Sequence, residues 1–538
     1  MAFESESSPV KEQEEEEEEE NQAPSHHPSA PFDEFFDIST TVDPSYIISS
    51  ICKLLPPDSR NSHDSRGVDA CDDSTVSTKE SKADEAKECA ASLPEDRVSN
   101  PQNNNFDAMD THDDFDEKLA HRKGQDEGLC HRVERPVASV GEEAWEEYGC
   151  ILWDLAASRT HAEFMVQNLL LEVLLANLTI SQSVRIMEIS LGIIGNLACH
   201  EVPRKQIVAT NGLIEIIVDQ LFLDDTPCLC EVCRLLTLGL QGSEGVTWAE
   251  ALQSEHILCR VLWIAENALN PQLLEKSVGL LLAILESQQE VAPILLPPLM
   301  KLGLPSLLIN LLAFEMSKLT SERIPERYSV LDLILRAIEA LSVIDGYSQQ
   351  ICSNKELFQL IYNLIKLPDK FEVANSCVTA AVLIANILSD ATDLASEISQ
   401  DLPFLEGLLD IFPFASDDLE AQNALWSVIA RLLVQVQESE MSLSSLHQYV
   451  SFLVSKSDLI EDNLLDHQLD DRNEEHEIST TSGTKFSART ISLRRIISIL
   501  NQWTTSKDHI AKNNLVGENH ANDGNVERLL DCCRKYVE

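Results

Sequence analysis

The sequence predicts an all-α protein built as a solenoid of stacked helical repeats, and three observations predict it. From about residue 141 onward, apolar residues recur at helical rather than strand spacing. Aromatic residues make up only 5% of the chain and glycines number 18 in 538 residues, a composition that suits helices better than sheets. The helical pattern also repeats. Asp154, Asn196, Thr237, Ala283, Ala340, Asn386 and Arg431 fall at equivalent places, with spacings of roughly 41 to 46 residues and one near 57.

Residues 1–140 read as an acidic disordered tail. They carry the run Glu14 to Glu20 and the polar stretch Asn100 to Asn105, and they hold too few apolar side chains to repay the ordering of the chain. One island interrupts them at 43–55. There Asp43 and Pro44 precede Tyr46, Ile47, Ile48, Ile51, Leu54 and Leu55, and Pro56-Pro57 follows, which predicts a capped amphipathic helix. A helix this short is marginal alone, so it either docks on the end of the solenoid or binds another protein. Ser8-Pro9-Val10-Lys11, and Ser74 after Asp72-Asp73, are short patterns of the kind that accept phosphate.

The repeat is clearest from Met187 to Val218. Met187, Ile189, Leu191, Ile193, Ile194, Leu197 and Ala198 form one wide apolar arc, predicting a largely buried helix over Met187 to Cys199. Glu188, Gly192, Gly195, Asn196 and Cys199 line the opposite strip. A polar turn through His200, Glu201 and Pro203 breaks the pattern, and Asn211-Gly212 supplies a residue able to take positive φ before Leu213 starts the next helix. Leu302-Gly303-Leu304 echoes that entry. Between Ala283 and Ala340 the longer interval holds Ser317 to Tyr328, whose charge and proline predict an inserted surface loop.

Gly195-Asn196-Leu197-Ala198, the Gln206-Ile207-Val208 turn and the Asn211-Gly212-Leu213-Ile214 entry resemble the junction between two armadillo repeats. With Ile151 to Leu155 upstream and Cys230 to Leu236 downstream, the stretch Glu142 to Gln253 is similar to the serum amyloid A-like protein family, an armadillo-type group. The resemblance implies an armadillo/HEAT-like right-handed superhelical solenoid over 141–456, without enzymatic chemistry. It also implies a nuclear and/or cytoplasmic regulator connected to cell growth. In armadillo proteins the third helix of each repeat faces a concave groove, where an Asn matched here by Asn196 holds the backbone of an extended peptide.

On that basis Asp154, Glu188, Asn196, Thr237, Asn386 and Arg431 form the candidate inner strip for a partner. The competing reading is architectural: Asn196 bridges neighbouring helices, and Gly192 permits close packing. Importin-alpha proteins place a Trp one turn before the groove Asn. Here those positions hold Cys150, Gly192, Cys233, Gly279, Arg336, Val382 and Ser427, which argues against a nuclear-import receptor.

With 90 acidic against 40 basic side chains and a formal net charge of −50, direct nucleic-acid binding is disfavoured and a protein with a basic or extended segment is the natural partner. Fourteen scattered cysteines fit a reducing compartment, and neither a secretory leader nor a uniformly apolar membrane span is expected. Cys228, Cys230 and Cys233 are dense but lack an evident fourth ligand, so buried thiols are expected rather than a metal site. No P-loop, nucleophile elbow or metalloprotease motif occurs in a suitable setting, so neither enzyme activity nor a cofactor is expected. Residues 457–488 read as an acidic, Ser/Thr-rich loop, and 489–538 as capping helices in which Arg489, Arg494 and Arg495 lie on a solvated face. The function expected is a non-catalytic protein-binding scaffold or adaptor; the alternatives are a co-chaperone-like clamp and an accessory subunit of an enzyme complex.

Overall fold

The computed structural model describes residues 42–56, 140–287, 290–436, 441–470, 487–512 and 523–537. The disordered-tail expectation therefore falls, apart from 42–56 and the start of the first repeat helix, outside the described residues. Two units divide the chain. One comprises 1–56 with 144–538, and the other comprises 57–143, of which only the four residues from Val140 are described. All that follows concerns the first.

Helix α1 (Pro44–Lys53) precedes α2 (Val140–Ala156). Three-helix units follow: α3 (Arg159–Gln167), α4 (Leu170–Ile180) and α5 (Val184–Ala198), then α6 (Glu201–Ala209), α7 (Leu213–Asp219) and α8 (Thr226–Gln241), then α9 (Gly245–Leu252), α10 (Glu255–Asn267) and α11 (Pro271–Glu286). The pattern continues through α12 (Ala292–Lys301), α13 (Leu304–Ser321) and α14 (Tyr328–Val343), and through α15 (Ser348–Cys352), α16 (Lys355–Ile365) and α17 (Ala374–Asp390). Next come α18 (Thr392–Ile398), α19 (Leu402–Leu409) and α20 (Leu419–Gln435), and then α21 (Leu443–Ser455), α22 (Ser457–Asp470) and α23 (Ala488–Lys512), with α24 (Asp523–Lys535) last. No strand occurs among the described residues.

The third helices α5, α8, α11, α14, α17, α20 and α23 each pack on the one before, forming a single row. A continuous core runs beneath them from Ile47 to Cys533. This is the arrangement a repeat with one apolar face requires, because each unit covers its neighbour's face and none buries its own.

Helix α5 shows how the sequence produces the unit. Its buried residues Ile189, Leu191, Ile193, Ile194, Leu197 and Ala198 leave only a narrow strip toward solvent. The helix begins three residues before the predicted start, with Val184 preceding the apolar arc. The middle helices α4, α7 and α13 are each entered through a left-handed residue. Gly212 takes it at φ 80° and Gly303 at φ 96°, where glycine pays no Cβ penalty. Leu169 occupies the same place before α4 at φ 65°, a conformation that costs a side-chain-bearing residue about 1–2 kcal/mol.

Three expectations are corrected. Ser317 to Ser321 do not open a loop but continue α13, because Met316 and Leu319 stay buried and Lys318 pairs with Glu322 at 2.8 Å. The short turn Pro325–Arg327 that follows is pinned by Arg327, which closes on the 2%-exposed Glu315. Ser457 to Asp470 is likewise helical rather than a loop. Ile460 and Leu464 are buried, and between them Asn463 accepts from Trp426 Nε1 at 2.9 Å and donates to Gln422 at 3.3 Å. Residues 471–486, the rest of that expected loop, lie outside the described residues. Helix α23, expected as a cap, joins the row of third helices through its packing on α20, and α24 packs on α23 beyond it.

Phe371–Asp390 is long and apolar enough to cross a membrane by length and composition. The sequence reading expected no such span. Here its main part, α17, lies between α14 and α20 in the row, so its apolar length serves packing on both sides.

Leu197 is fully buried whereas Glu215 is exposed. Leu197→Ala should cost about 2–5 kcal/mol and lower the midpoint of thermal unfolding clearly, while Glu215→Gln should leave it nearly unchanged. Equal midpoints measured by circular dichroism would contradict the packing described. Removing residues 1–135 takes away α1 and should produce a modest loss of stability, with the helical signal and cooperative melting retained.

Candidate partner-binding face

The exposed side of the third-helix row is built from residues that recur once per turn and once per unit. Asn196, on α5, donates from Nδ2 to the Trp153 carbonyl of α2 at 2.9 Å, and its Oδ1 accepts from Arg234 Nη1 of α8 at 3.3 Å. One amide thus joins α2, α5 and α8. Arg234 also donates to the Gly192 carbonyl at 3.2 Å and pairs with Glu231.

The same device recurs down the row. Asn386 Nδ2 reaches Ser342 Oγ at 2.9 Å, and Arg431 reaches the Leu388 carbonyl at 2.7 Å and Ser389 Oγ at 3.0 Å. Arg495 then reaches the Leu433 and Val436 carbonyls. The bonds from Asn196 to Trp153, Arg234 to Gly192, Asn386 to Ser342 and Arg431 to Leu388 bridge partners 42 to 44 residues apart, the length of one unit.

Each residue of the expected strip has a definite place. Asn196, Asn386 and Arg431 are half-buried and spend hydrogen bonds between units. Thr237 is half-buried and donates to the Cys233 carbonyl of its own helix at 2.8 Å. Glu188 pairs with Arg185 at 2.7 Å, and Arg185 pairs also with Glu146 of α2. The hydrogen bonds that Arg185 donates, to Glu188 first and then to Glu146, raise its pKa well above its ordinary range. Asp154 is exposed. The structure does not bring these six residues to one point, since they are spread along the row. Ala283, at the aligned position of α11, is 2% exposed and lines a cavity between α8, α9 and α11.

An aromatic ring does lie on the strip, but it comes from the neighbouring helix. Half-buried Trp153 covers Gly192 so closely that a Cβ there would sit 2.1 Å from the ring. Gly195 makes the matching space for Arg234, whose Nη2 would be 2.3 Å from an added Cβ. The signal for both was the pair of glycines three residues apart in an otherwise bulky helix; a pattern sought along one helix passes over a ring supplied across two.

Farther along, the N-terminal ends of α11, α14 and α17 surround a cavity of about 460 Å³ that sequence reasoning did not find. Glu275, Asp332 and Glu372 line it, with the rings of Tyr328 and Phe371. Ser329 donates to Glu275 at 2.9 Å and Tyr328 to Glu372 at 2.8 Å. The hydrogen bond from Lys276, ahead of that from Ser329, keeps Glu275 below its ordinary pKa. Burial pushes Asp332 upward, against the pull of Arg336, and its Oδ1 is enclosed without a hydrogen-bond partner. Phe371 is 79% exposed at the edge. The site therefore offers negative charge and an open aromatic face together.

The cysteine cluster has a different character. Burial drives the Cys230 thiol up to about 11 and Cys233 to about 12, and Cys228 rises further, so all three oppose the thiolate form a metal would need. Among the described residues, no group of three His, Cys, Asp or Glu side chains is placed to hold a metal ion.

A row of third helices, stacked in three-helix units of this length, defines an armadillo-like helical-repeat protein. The chain is similar to the protein saal1 of Danio rerio, with 25% identity over 228 residues, 41% of this chain and 48% of that protein. It is similar also to the protein SAAL1 of Homo sapiens, with 30% identity over 146 residues, 27% of this chain and 30% of that protein. The matches span half or less of these relatives' length. No family model matches the chain.

Among solved structures, an engineered protein from the Northeast Structural Genomics Consortium aligns with a TM-score of 0.44 and 15% identity over 74% of this chain and 86% of that one. A designed armadillo repeat protein in complex with the peptide (KR)4 aligns with a TM-score of 0.36 and 14% identity over 45% of this chain and 94% of that one.

The bonds of Asn196 and Asn386 generate a direct test. If these amides serve the architecture, Asn196→Ala with Asn386→Ala should cost about 1–3 kcal/mol per residue, because partners are left unsatisfied, and should lower the melting midpoint. An unchanged midpoint with weakened capture of a partner would assign them to binding instead.

Proposed function

We propose that the protein is a non-catalytic scaffold that presents the exposed side of its third-helix row to a protein segment carrying basic side chains. The observation that carries this reading is the cleft of Glu275, Asp332 and Glu372 with the exposed Phe371 ring. Carboxylates select a cationic side chain, and an open aromatic face adds a cation–π contact to the same group. Long-range attraction favours such a partner as well, given the chain's net charge of −50. The inter-unit bonds of Asn196, Asn386 and Arg431 hold the row in register, so in this reading the strip residues support the face more than they touch the partner. A nuclear and/or cytoplasmic location and a part in growth regulation belong to the same proposal, on the sequence resemblance of Glu142 to Gln253 to the serum amyloid A-like family.

The probe is a fluorescent peptide of alternating Lys and Arg. Glu275→Gln, Asp332→Asn and Glu372→Gln combined should weaken its binding to the full chain by about tenfold or more at low salt, with melting preserved. Because burial raises the Asp332 pKa and the charged carboxylate is the form that attracts a cation, affinity should increase as pH rises through the carboxylate range. Undiminished binding by the folded triple variant would move the basic segment to another face.

A further inference from the structure

Trp145 Nε1 of α2 and Asn177 Nδ2 of α4 converge on a single acceptor, the Leu54 carbonyl, at 3.1 and 2.9 Å. Trp145 is 6% exposed and Asn177 4%, so both donors are sealed from water at the place where they meet. Leu54 is the residue that ends α1, and its carbonyl is one of those a helix leaves without a partner of its own. Ahead of it, Ile47, Ile51 and Leu54 are buried at positions i, i+4 and i+7, one face of the helix. The groove thus reads two features of whatever lies in it: an apolar stripe at fixed helical pitch, and the terminal carbonyl where the stripe stops.

We propose that this groove of α2, α3 and α4 is a helix receptor, occupied by α1 as an exchangeable ligand from its own chain. The partner it accepts in place of α1 is a short amphipathic helix of another protein with Ile or Leu at i, i+4 and i+7, ending at the last of these. The donors that complete the site lie 91 and 123 residues beyond Leu54 in the chain, and residues 57–139 intervene between α1 and α2. Removing α1 therefore breaks no connection within the stack. A ten-residue helix does not persist alone, so α1 leaves its groove by unfolding and a competing helix takes the site whole. In an empty groove the two N–H donors meet water, and an occupant that displaces this water without offering a carbonyl would leave them unpaired, which selects for one with a free carbonyl in that position. This surface is separate from the acidic cleft, and neither proposal depends on the other.

The test uses the full chain and a fluorescein-labelled peptide of residues 42–56, followed by anisotropy. Ile51→Asp in the chain expels α1, and that variant should bind the peptide about tenfold or more tightly than the wild-type chain, whose groove is filled. The peptide carrying Ile51→Asp should bind neither chain, and adding Asn177→Leu to the Ile51→Asp chain should weaken uptake severalfold. A melting curve reports whether each variant is folded. A folded Ile51→Asp chain that fails to take up the peptide, or one that binds it no better than wild type, overturns the proposal. In the wild-type chain, excess unlabelled peptide should lower the hydrogen-exchange protection of α1, and unchanged protection would overturn the proposal independently of any variant.

Discussion

Everything in this structure depends on one constraint: no unit can bury its own apolar face. Helix α5 shows it most plainly, with Ile189, Leu191, Ile193, Ile194 and Leu197 all removed from water by helices before and after it. Stability in such a stack is a sum of local terms and neighbour contacts, so the fold has no central core whose loss would be felt equally everywhere. The same constraint explains the ends. Helix α1 covers the first unit with Ile47, Ile51 and Leu54, and α24 contributes Leu529, Leu530 and Cys533 to the last.

Apolar contact alone does not set the register between units, because one smooth helical face slides on another at little cost. The polar links of Asn196, Arg234, Asn386, Arg431 and Arg495 supply the missing specificity. Each ties one helix to a defined carbonyl or hydroxyl of the preceding one, and a slip by one turn would leave those groups unpaired. Gly192 and Gly195 serve the same end by subtraction, as they leave room for Trp153 and Arg234, which a side chain would displace.

Features confined to a single helix were readable in the sequence. The apolar arc of α5, the glycines at 212 and 303 and the capped helix from Pro44 each rest on neighbours within a few residues, where spacing decides the outcome. Features joining distant segments were not readable. Ser317 to Ser321 has loop-like composition, and the burial of Met316 and Leu319 against other helices, with the Lys318–Glu322 pair, keeps it helical. Asn463 broke the apolar pattern of α22, yet in the fold it is the residue that fastens that helix to Trp426 and Gln422. For the candidate site the division is the same: the strip residues were identifiable by repeat position, whereas the cleft of Glu275, Asp332 and Glu372 gathers side chains from three units.

The direction of the polar links has a consequence for how the chain is made. Along the third-helix row, Asn196, Arg234, Asn386, Arg431 and Arg495 all follow their acceptors in sequence, as do Trp145 and Asn177 with Leu54. A ribosome releases the N-terminal end first, so each new helix emerges to find its acceptor already displayed on a completed surface. At these links assembly can follow the order of synthesis, whereas Trp426 Nε1 must wait for Asn463, 37 residues later, before its bond closes. At these links, a chain halted between two units would leave carbonyls and a hydroxyl unfilled, which water satisfies readily.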